Sequence, residues 1–139
     1  RPMKINAYLT FNGNCEAAMR FYAQALGGAL DPITTFGDSP ACDHVPADYR
    51  DKIMHARLQV GDQVLMASDG MPTDSYDGIK GCAIALNVDS VAEAERVFKA
   101  LSDKGNVIMP LDKTFWSVSF GMLVDQFGVS WMVNCESEA

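Results

Sequence analysis

The sequence predicts an α+β fold in which one strand–helix–three-strand unit occurs twice. Residues 4–11 and 81–89 both alternate between apolar and polar side chains, as a half-buried strand does. Each is followed by an apolar pattern of helical period, and then by a short strand and a hairpin. One sheet covered by one helix buries only one face well, so we expect the two units to pair.

The first unit begins with the strand at residues 4–11 and continues into a helix. We expect Asn14 to be the N-cap, and Glu16 to interact favourably with the positive end of the helix dipole. Gly27 and Gly28 then end the helix. The spacing i, i+3, i+4, i+7 predicts that its buried side consists of Ala18, Phe21, Tyr22 and Ala25.

The second unit repeats this order. Ser90 and Glu93 fit a capping box, which places a helix start directly after the strand at residues 81–89. The helix is expected to end near Gly105. Its apolar side is predicted to carry Ala94, Val97, Phe98 and Leu101.

We predict a single domain over residues 3–139, built from modules at about 3–70 and 80–136. Residues 70–80 are rich in Gly, Pro, Asp and Ser, which is typical of a linker. The two modules are expected to form a curved mixed sheet with a concave pocket.

Pairing within the first hairpin sorts its side chains into two faces. A two-residue turn at Gly61 and Asp62 should place Val60 opposite Gln63. One face is then apolar and is expected to lie under the helix. The other face, which we call the open face, carries His55, Arg57, Met66 and Ser68.

The last hairpin is sorted in the same way. A turn at residues 125–128 is expected to place Phe120 opposite Val133 and Met122 opposite Trp131. The aromatic residues assigned to the core are Trp116, Phe120 and Trp131. The open face of this unit then carries Ser119, Gly121, Met132 and Asn134.

The open faces consist of small and neutral polar groups with one histidine and one arginine. The first strands of the two units add Asn6, Tyr8, Thr10, Ala83, Ala85 and Asn87. A sheet that curls around such a face forms a pocket for a small polar ligand. The alternative is a solvated sheet face or a dimer surface, although solvated faces usually carry many Lys and Glu residues.

Composition excludes several classes of partner. The net charge of −7 argues against nucleic acid and anionic membrane surfaces, which bind clustered Lys and Arg. No apolar run approaches the roughly 20 residues that span a bilayer, and we expect no secretory leader. The four cysteines are far apart in sequence, and we interpret them as reduced thiols of a cytoplasmic protein.

Three ordered segments resemble the PhnB-like branch of the vicinal oxygen chelate superfamily, which includes glyoxalase and bleomycin-resistance proteins. They read YLTFNGNCEAAMRFY followed by LGG, then HARLQVGDQVLMASD, then TFWSVSFGMLVDQFGVSWMVNC. The resemblance extends over nearly the whole chain. It implies paired βαβββ modules, each curled into a half-barrel, and usually a homodimer.

In metal-using members of that superfamily, the resemblance implies four ligands from the first and fourth strands of each module. The matching positions here are Asn6 (or Ala7), Met66, Ala83 and Met132. These side chains lack the imidazole, carboxylate or thiolate donors of a divalent site. We therefore expect no superfamily metal site and no other cofactor.

A relocated metal is the open alternative. Cys42 and His44 offer two ligand types within residues 37–52, a segment rich in Asp and Pro. The competing interpretation of that segment is a mobile acidic loop, which would act as a lid over the pocket.

Four residues are the main candidates for ligand contact. His55 could act as a general base, because imidazole titrates near neutral pH. The alternative is a histidine with a structural or interface role. Arg57 could bind a carboxylate or phosphate group of a ligand. The alternative is a loose ion pair on the strand surface. Tyr8 and Ser119 are candidate hydrogen-bond donors. The remaining predicted contacts are Ser68, Met132 and Asn134.

Three functions are compatible with these observations. The first is metal-independent binding of a small polar or anionic molecule. The second is an enzyme, either a glyoxalase-like lyase or isomerase or one that uses a relocated metal. The third is a dimeric interaction protein with a vestigial cleft. The fold alone does not choose among them.

Overall fold

The computed structural model describes residues 3–71 and 75–138. The chain divides into two compact units, with the boundary between Gly78 and Ile79. Part of the predicted linker, residues 72–74, lies outside the described residues. Each unit carries a strand, a helix and then antiparallel strands, which confirms the predicted α+β fold class.

Unit 1 contains a helix beside a mixed sheet. Its elements are β1 (Ala7–Phe11), α1 (Cys15–Leu26), β2 (Ala29–Leu30), β3 (Thr34–Thr35), β4 (Ile53–Val60) and β5 (Gln63–Asp69). The strand order is β1-β5-β4-β2, and β3 pairs separately with β4. β1 runs parallel to β5, whereas β2, β3 and β5 run antiparallel to β4.

The predicted apolar side of α1 packs against β4 and β5. Ala18, Tyr22 and Ala25 are buried, and Phe21 is partly buried. The helix ends at Gly27, whose φ of 70° lies in the left-handed region that glycine adopts without steric cost. The predicted end of this helix is therefore confirmed.

The start of α1 is held by Asp69 and not by the side chain of Asn14. Asn14 occupies the N-cap position, but its side chain makes no capping hydrogen bond. Asp69 Oδ1 accepts hydrogen bonds from the backbone N–H of Gly13 at 2.7 Å and of Cys15 at 3.0 Å. Its Oδ2 accepts from Ile53 N–H at 2.9 Å. One buried carboxylate thus joins the end of β5 to the starts of α1 and β4.

Unit 2 repeats the arrangement with a four-stranded sheet in the order β6-β9-β8-β7. Its elements are β6 (Ile84–Asn87), α2 (Val91–Ser102), β7 (Asn106–Asp112), β8 (Ser119–Val124) and β9 (Ser130–Cys135). Ser90 Oγ accepts a hydrogen bond from Glu93 N–H at 3.1 Å, as the capping box predicts. The four predicted apolar positions of α2 are all buried, namely Ala94, Val97, Phe98 and Leu101.

The register predicted for the last hairpin is wrong by one residue. Phe120 lies opposite Asn134, and Leu123 lies opposite Trp131. The turn is longer than predicted, because Val124 pairs with Ser130 and residues 125–129 form the loop. A slip of one residue moves every side chain of a strand to the other face of the sheet.

Asp125 stabilises this longer turn. Its Oδ1 accepts hydrogen bonds from the backbone N–H of Phe127 at 2.8 Å and of Val129 at 3.1 Å. Its Oδ2 accepts from Trp131 Nε1 at 2.8 Å. The positive φ of Gly128, 85°, completes the turn. Asp125 and Gly128 thus both shape the turn, which is one residue longer than predicted.

Two of the three aromatic residues assigned to the core lie elsewhere. Trp131 is buried as predicted, whereas Trp116 is 50% exposed and Phe120 is partly exposed. Thr114 Oγ1 accepts hydrogen bonds from the backbone N–H of Trp116 and Ser117, so the chain turns here and β8 begins only at Ser119.

Residues 37–52 pack as part of unit 1. They contain two short 3₁₀ turns, Cys42–His44 and Ala47–Tyr49. Val45 is buried, and the Tyr49 hydroxyl donates a hydrogen bond to the Gly70 carbonyl. The segment is therefore anchored at two points, and its proposed action as a lid stays a prediction.

Candidate functional site

The open face of unit 1 is the side of its sheet that α1 does not cover. Strand pairing aligns Tyr8 of β1 with Met66 of β5, and Met66 with Arg57 of β4. Thr10 lies beside Ser68 on the same side of β1 and β5. The predicted register of the first hairpin is confirmed, because Val60 pairs with Gln63 and the intervening positions under the helix, including Leu58, Leu65 and Ala67, are buried.

Tyr8 and His55 form a side-chain pair on this face. The Tyr8 hydroxyl oxygen and His55 Nδ1 are 3.2 Å apart, and the ring centroids are 5.9 Å apart. The two residues lie on β1 and β4, so the contact reaches across the intervening strand β5. Tyr8 is 48% exposed, which leaves the pair accessible to a small molecule.

Arg57 forms an ion pair with Asp31, which follows β2. The distance from Arg57 Nη1 to Asp31 Oδ2 is 3.0 Å, and both side chains are partly exposed. Gln59, on the same face of β4, donates a hydrogen bond from Nε2 to Asp31 Oδ1 at 2.9 Å. An anion that binds Arg57 must therefore compete with the Asp31 carboxylate.

Tyr76 is attached to the end of β1. Its hydroxyl donates a hydrogen bond to the Thr10 carbonyl at 3.0 Å. Partial burial, and then the negative charge of Asp69, raises the pKa of Tyr76 above its ordinary value. The hydroxyl is therefore held in its protonated form, as a donor to the end of β1.

The open face of unit 2 carries Met132 and Asn134, as predicted, but not Ser119. Asn134 Nδ2 donates a hydrogen bond to Asn87 Oδ1 at 3.0 Å. Ser119 pairs with Cys135 and is only 5% exposed, on the helix side of the sheet. The predicted position of Ser119 is wrong, because the five-residue turn reverses the faces of β8 relative to β9. Gly121 is misplaced for the same reason.

Asn134 has an unsatisfied acceptor. Its Oδ1 is buried and has no hydrogen-bond partner among the residues that the structure describes. A buried acceptor without a donor costs about 1–3 kcal/mol.

The residues at the superfamily metal positions do not fit a divalent ion. The Asn6 side chain is exposed and donates a hydrogen bond from Nδ2 to the Val64 carbonyl at 3.2 Å. Met66 and Met132 offer thioethers, and Ala83 offers a methyl group. Divalent ions of this superfamily prefer imidazole nitrogen and carboxylate oxygen, so the donor set at these positions is of the wrong type.

Other metal ligands do not cluster either. Across residues 3–71 and 75–138, no group of three His, Cys, Asp or Glu side chains is arranged to hold a metal ion. Cys42 is partly buried, whereas Asp43 and His44 are exposed. Cys42 and His44 thus provide at most two ligands within the described part of the chain.

The buried thiols are poor nucleophiles. Burial, and then the charges of Asp69 and Glu16, raises the pKa of Cys15 to about 12. Burial, and then the charges of Glu138 and Asp89, raises the pKa of Cys135 above its usual range. Because the thiolate is the reactive form, neither group suits covalent catalysis.

Sequence reasoning missed Asp31, Gln59 and Tyr76. The alternation along β4 could have placed Gln59 beside Arg57, because side chains two residues apart share a face. No sequence signal identifies Asp31 or Tyr76, since each reaches the face from a segment whose path depends on the folded structure.

Three comparisons with known proteins agree with this architecture. The family model described as the Glyoxalase/Bleomycin resistance protein/Dioxygenase superfamily matches residues 4–133. Protein YjdN of Escherichia coli (strain K12) is 33% identical over 142 residues, which is 95% of this chain and 95% of that protein.

Solved structures are similar over the whole chain. The crystal structure of protein PA1353 from Pseudomonas aeruginosa is 59% identical, covers 99% of this chain and 100% of its own, and has a TM-score of 0.91. A structure from Bacillus cereus titled "Putative 3-demethylubiquinone-9 3-methyltransferase, PhnB protein" is 25% identical with a TM-score of 0.78. It covers 96% of this chain and 99% of its own. Within the described ranges, neither helix is long and apolar enough to cross a membrane.

Proposed function

The chain belongs to the glyoxalase/bleomycin resistance protein/dioxygenase superfamily as a PhnB-like member, and we propose that it binds a small polar or anionic molecule without the usual metal. The proposed site is the open face of unit 1. The observation that carries this proposal is the Tyr8–His55 contact of 3.2 Å, because it places two polar groups on an accessible sheet face.

The Tyr8–His55 contact gives the proposed site a donor and an acceptor. If His55 Nδ1 carries the proton, it donates to the Tyr8 oxygen, and His55 Nε2 is left as an acceptor. The Tyr8 hydroxyl proton is then available to the ligand. In this tautomer His55 is also the candidate general base, with Nε2 as the atom that receives a proton from the ligand.

Arg57 is the reason to expect an anionic group on the ligand. Its guanidinium is always charged and binds carboxylates and phosphates through paired N–H groups. Asp31 balances that charge in the free protein and holds the side chain in position. We propose that a bound anion displaces one contact with Asp31, while Ser68 lines the same face of β5.

On unit 2, taken by itself, we propose Asn134 and Met132 as ligand contacts on its own open face. Asn134 Nδ2 donates one N–H to Asn87 Oδ1 in an exposed setting, and its second N–H supports a contact with an acceptor group of a ligand. Met132 lies on the same side of β9 and offers an adaptable apolar surface.

An enzyme remains the second candidate, supported by the same Tyr8–His55 pair. A lyase or isomerase of this kind needs a base that can take a proton from carbon, and His55 is the candidate. In the metal-using version, Cys42 or His44 would contribute to the ion. Metal analysis of the purified protein separates these candidates, since a stoichiometric divalent ion would contradict the metal-independent proposal.

A thermal-shift screen tests the binding proposal. The probes are small carboxylates, phosphonates and thiol conjugates, measured on wild type and on His55→Ala, Tyr8→Phe and Arg57→Ala. We expect at least one probe to raise the melting temperature of wild type, because a ligand that binds only the folded state stabilises it. Each variant should lose most of that shift.

The chain offers matched controls for the screen. His44 is exposed and lies outside the proposed site, so His44→Ala should respond as wild type does. Arg20 pairs with Glu16 on the surface of α1, so Arg20→Ala controls for the loss of an arginine. A hit to which wild type, site variants and control variants respond equally would refute the assigned contacts.

We also propose a cytoplasmic homodimer with reduced cysteines. The support for association is an exposed apolar segment before β8, where Phe115 is 97%, Trp116 is 50% and Val118 is 38% exposed. Light scattering of wild type should give twice the chain mass, and Phe115→Asp should shift it toward the monomer. A monomeric wild type at all accessible concentrations would contradict this part of the proposal.

A further inference from the structure

Three methionines form a row across the open face of unit 2. Met109 of β7 pairs with Met122 of β8, and Met122 pairs with Met132 of β9. The row ends at Ala85 of β6, the partner of Met132. Residues paired across antiparallel strands lie on the same face of a sheet, so the three thioethers share one side.

A register shift brings Met109 into this row. The pairs Asn106–Val124 and Val107–Leu123 would continue with Ile108 opposite Met122. The shift places Met109 there instead, and a second irregularity follows before Asp112. Ile108 is left 56% exposed. Bulges of this kind redirect side chains and are usually specific features of a fold.

The spacing allows the three sulfur atoms to converge. Neighbouring strands lie about 4.8 Å apart. A methionine side chain is unbranched and has three rotatable bonds, so its sulfur atom can take up many positions. The outer two side chains can therefore lean toward Met122. Met109 is 43% exposed, and Met122 and Met132 are partly exposed, so the row is accessible from solvent.

The charge around the row does not oppose a cation. The adjacent positions on the same face of β8 and β9 are Phe120, Val124, Ser130 and Asn134, all uncharged. Asp112, opposite Phe120, adds a negative charge. Thioether sulfur is a soft ligand that selects soft ions such as Cu(I) over hard divalent ions.

We propose that Met109, Met122 and Met132 bind one soft monovalent cation, Cu(I) or its analogue Ag(I). This site consists of unit 2 residues and differs in chemistry from the organic-ligand site proposed on unit 1. It shares Met132 with the organic-ligand contacts proposed on unit 2. It requires no His, Cys or carboxylate ligand.

Silver binding tests the proposal, with Ag(I) as a probe that is not oxidised under assay conditions. Exposed Cys82 and partly buried Cys42 would compete for Ag(I), so both are replaced by serine in every variant. Cys15 and Cys135 are buried. Titration by calorimetry and native mass spectrometry should give one Ag(I) per chain.

Leucine variants identify the ligands. Met→Leu conserves volume and should leave the fold intact, which circular dichroism checks. Met122→Leu should weaken Ag(I) binding by about tenfold or more, a loss of about 1.4 kcal/mol. Met66→Leu in unit 1 is the matched control and should bind as the parent does.

Methyl spectra give a readout independent of affinity. The chain has eight methionines, and in ¹³C-methyl spectra those of Met109, Met122 and Met132 should shift together with Ag(I). Absence of stoichiometric binding would overturn the proposal. So would equal loss in Met66→Leu and Met122→Leu, or shifts confined to other methionines.

Discussion

Asp69→Asn is the substitution that should most clearly expose how unit 1 is held together. The Asp69 side chain is 3% exposed and accepts three backbone hydrogen bonds, from Gly13, Cys15 and Ile53. An asparagine has one acceptor oxygen and one donor nitrogen in place of two acceptor oxygens. In either orientation at least one of the three N–H groups faces another donor.

The magnitude follows from the bonds that are lost. A hydrogen bond to a charged group contributes about 1.5–3 kcal/mol, and a buried donor left unpaired costs about 1–3 kcal/mol. One or two bonds are lost and the others lose their charge, so we expect a decrease of about 2–4 kcal/mol in the free energy of unfolding. This is a large part of the stability of about 5–15 kcal/mol that is typical of a folded domain.

Urea denaturation followed by far-UV circular dichroism measures this change. With a slope of about 2 kcal/mol per molar urea, the midpoint should fall by about 1–2 M. Amide exchange at Gly13, Cys15 and Ile53 should accelerate. The control is Asp62→Asn, an exposed turn residue whose replacement should change stability by no more than about 0.5 kcal/mol. If Asp69→Asn matches that control, the carboxylate does not hold these elements together.

Three further predictions concern packing, charge and pH. Gly121→Ala should lower the free energy of unfolding by about 1–3 kcal/mol in urea denaturation, because the added Cβ would lie 2.7 Å from Phe98 Cε2. Unchanged stability would contradict the register of β8. Asp31→Asn should raise the affinity for a carboxylate probe by up to about fivefold in calorimetry. The reason is that it frees Arg57 from an exposed ion pair worth at most about 1 kcal/mol. Weaker binding would show that Asp31 serves mainly to position Arg57. Cys15 has a pKa raised from 9.0 to about 12, so its contribution to stability is intact below pH 9 and falls as pH rises toward 12, by about 1.4 kcal/mol per pH unit. Urea denaturation of wild type against Cys15→Ala at pH 8 and 10 isolates this effect, and a difference independent of pH would refute it.

The repeated unit could be predicted because its signals are local. Alternation in residues 4–11 and the apolar spacing of both helices depend only on which side chains face the core. The stop at Gly27 and the cap at Ser90 are equally local. Burial follows the helical patterns closely, and the first hairpin follows from the two-residue turn after Val60. The alternation at residues 4–11 is followed only at Leu9 and Phe11, because β1 begins at Ala7 and Ile5 is 92% exposed.

The last hairpin could not be assigned correctly from spacing alone. Its sequence is compatible with a turn of either four or five residues, and the choice depends on where the Asp125 side chain finds donors. Asp125 binds Phe127, Val129 and the Trp131 indole, which favours the longer turn. The error in one loop residue then moved Ser119 to the wrong face, because register propagates along the strand.

The candidate site was predicted less completely than the fold. His55, Arg57 and Tyr8 lie on the side of the sheet that alternation indicates, but their partners are set by long-range structure. Asp31 reaches Arg57 from the segment after β2, and the contact between Tyr8 and His55 crosses a strand. Such contacts join residues that are distant in sequence and have no common periodicity.

The most direct test of the proposed function is the NMR response of the two histidines during titration with a hit from the ligand screen. We predict that the imidazole signals of His55 and the ring signals of Tyr8 shift saturably, with a common dissociation constant that matches calorimetry. The signals of His44 should stay in place. Saturable binding that moves neither His55 nor Tyr8 would contradict the proposal that the open face of unit 1 recognises the ligand.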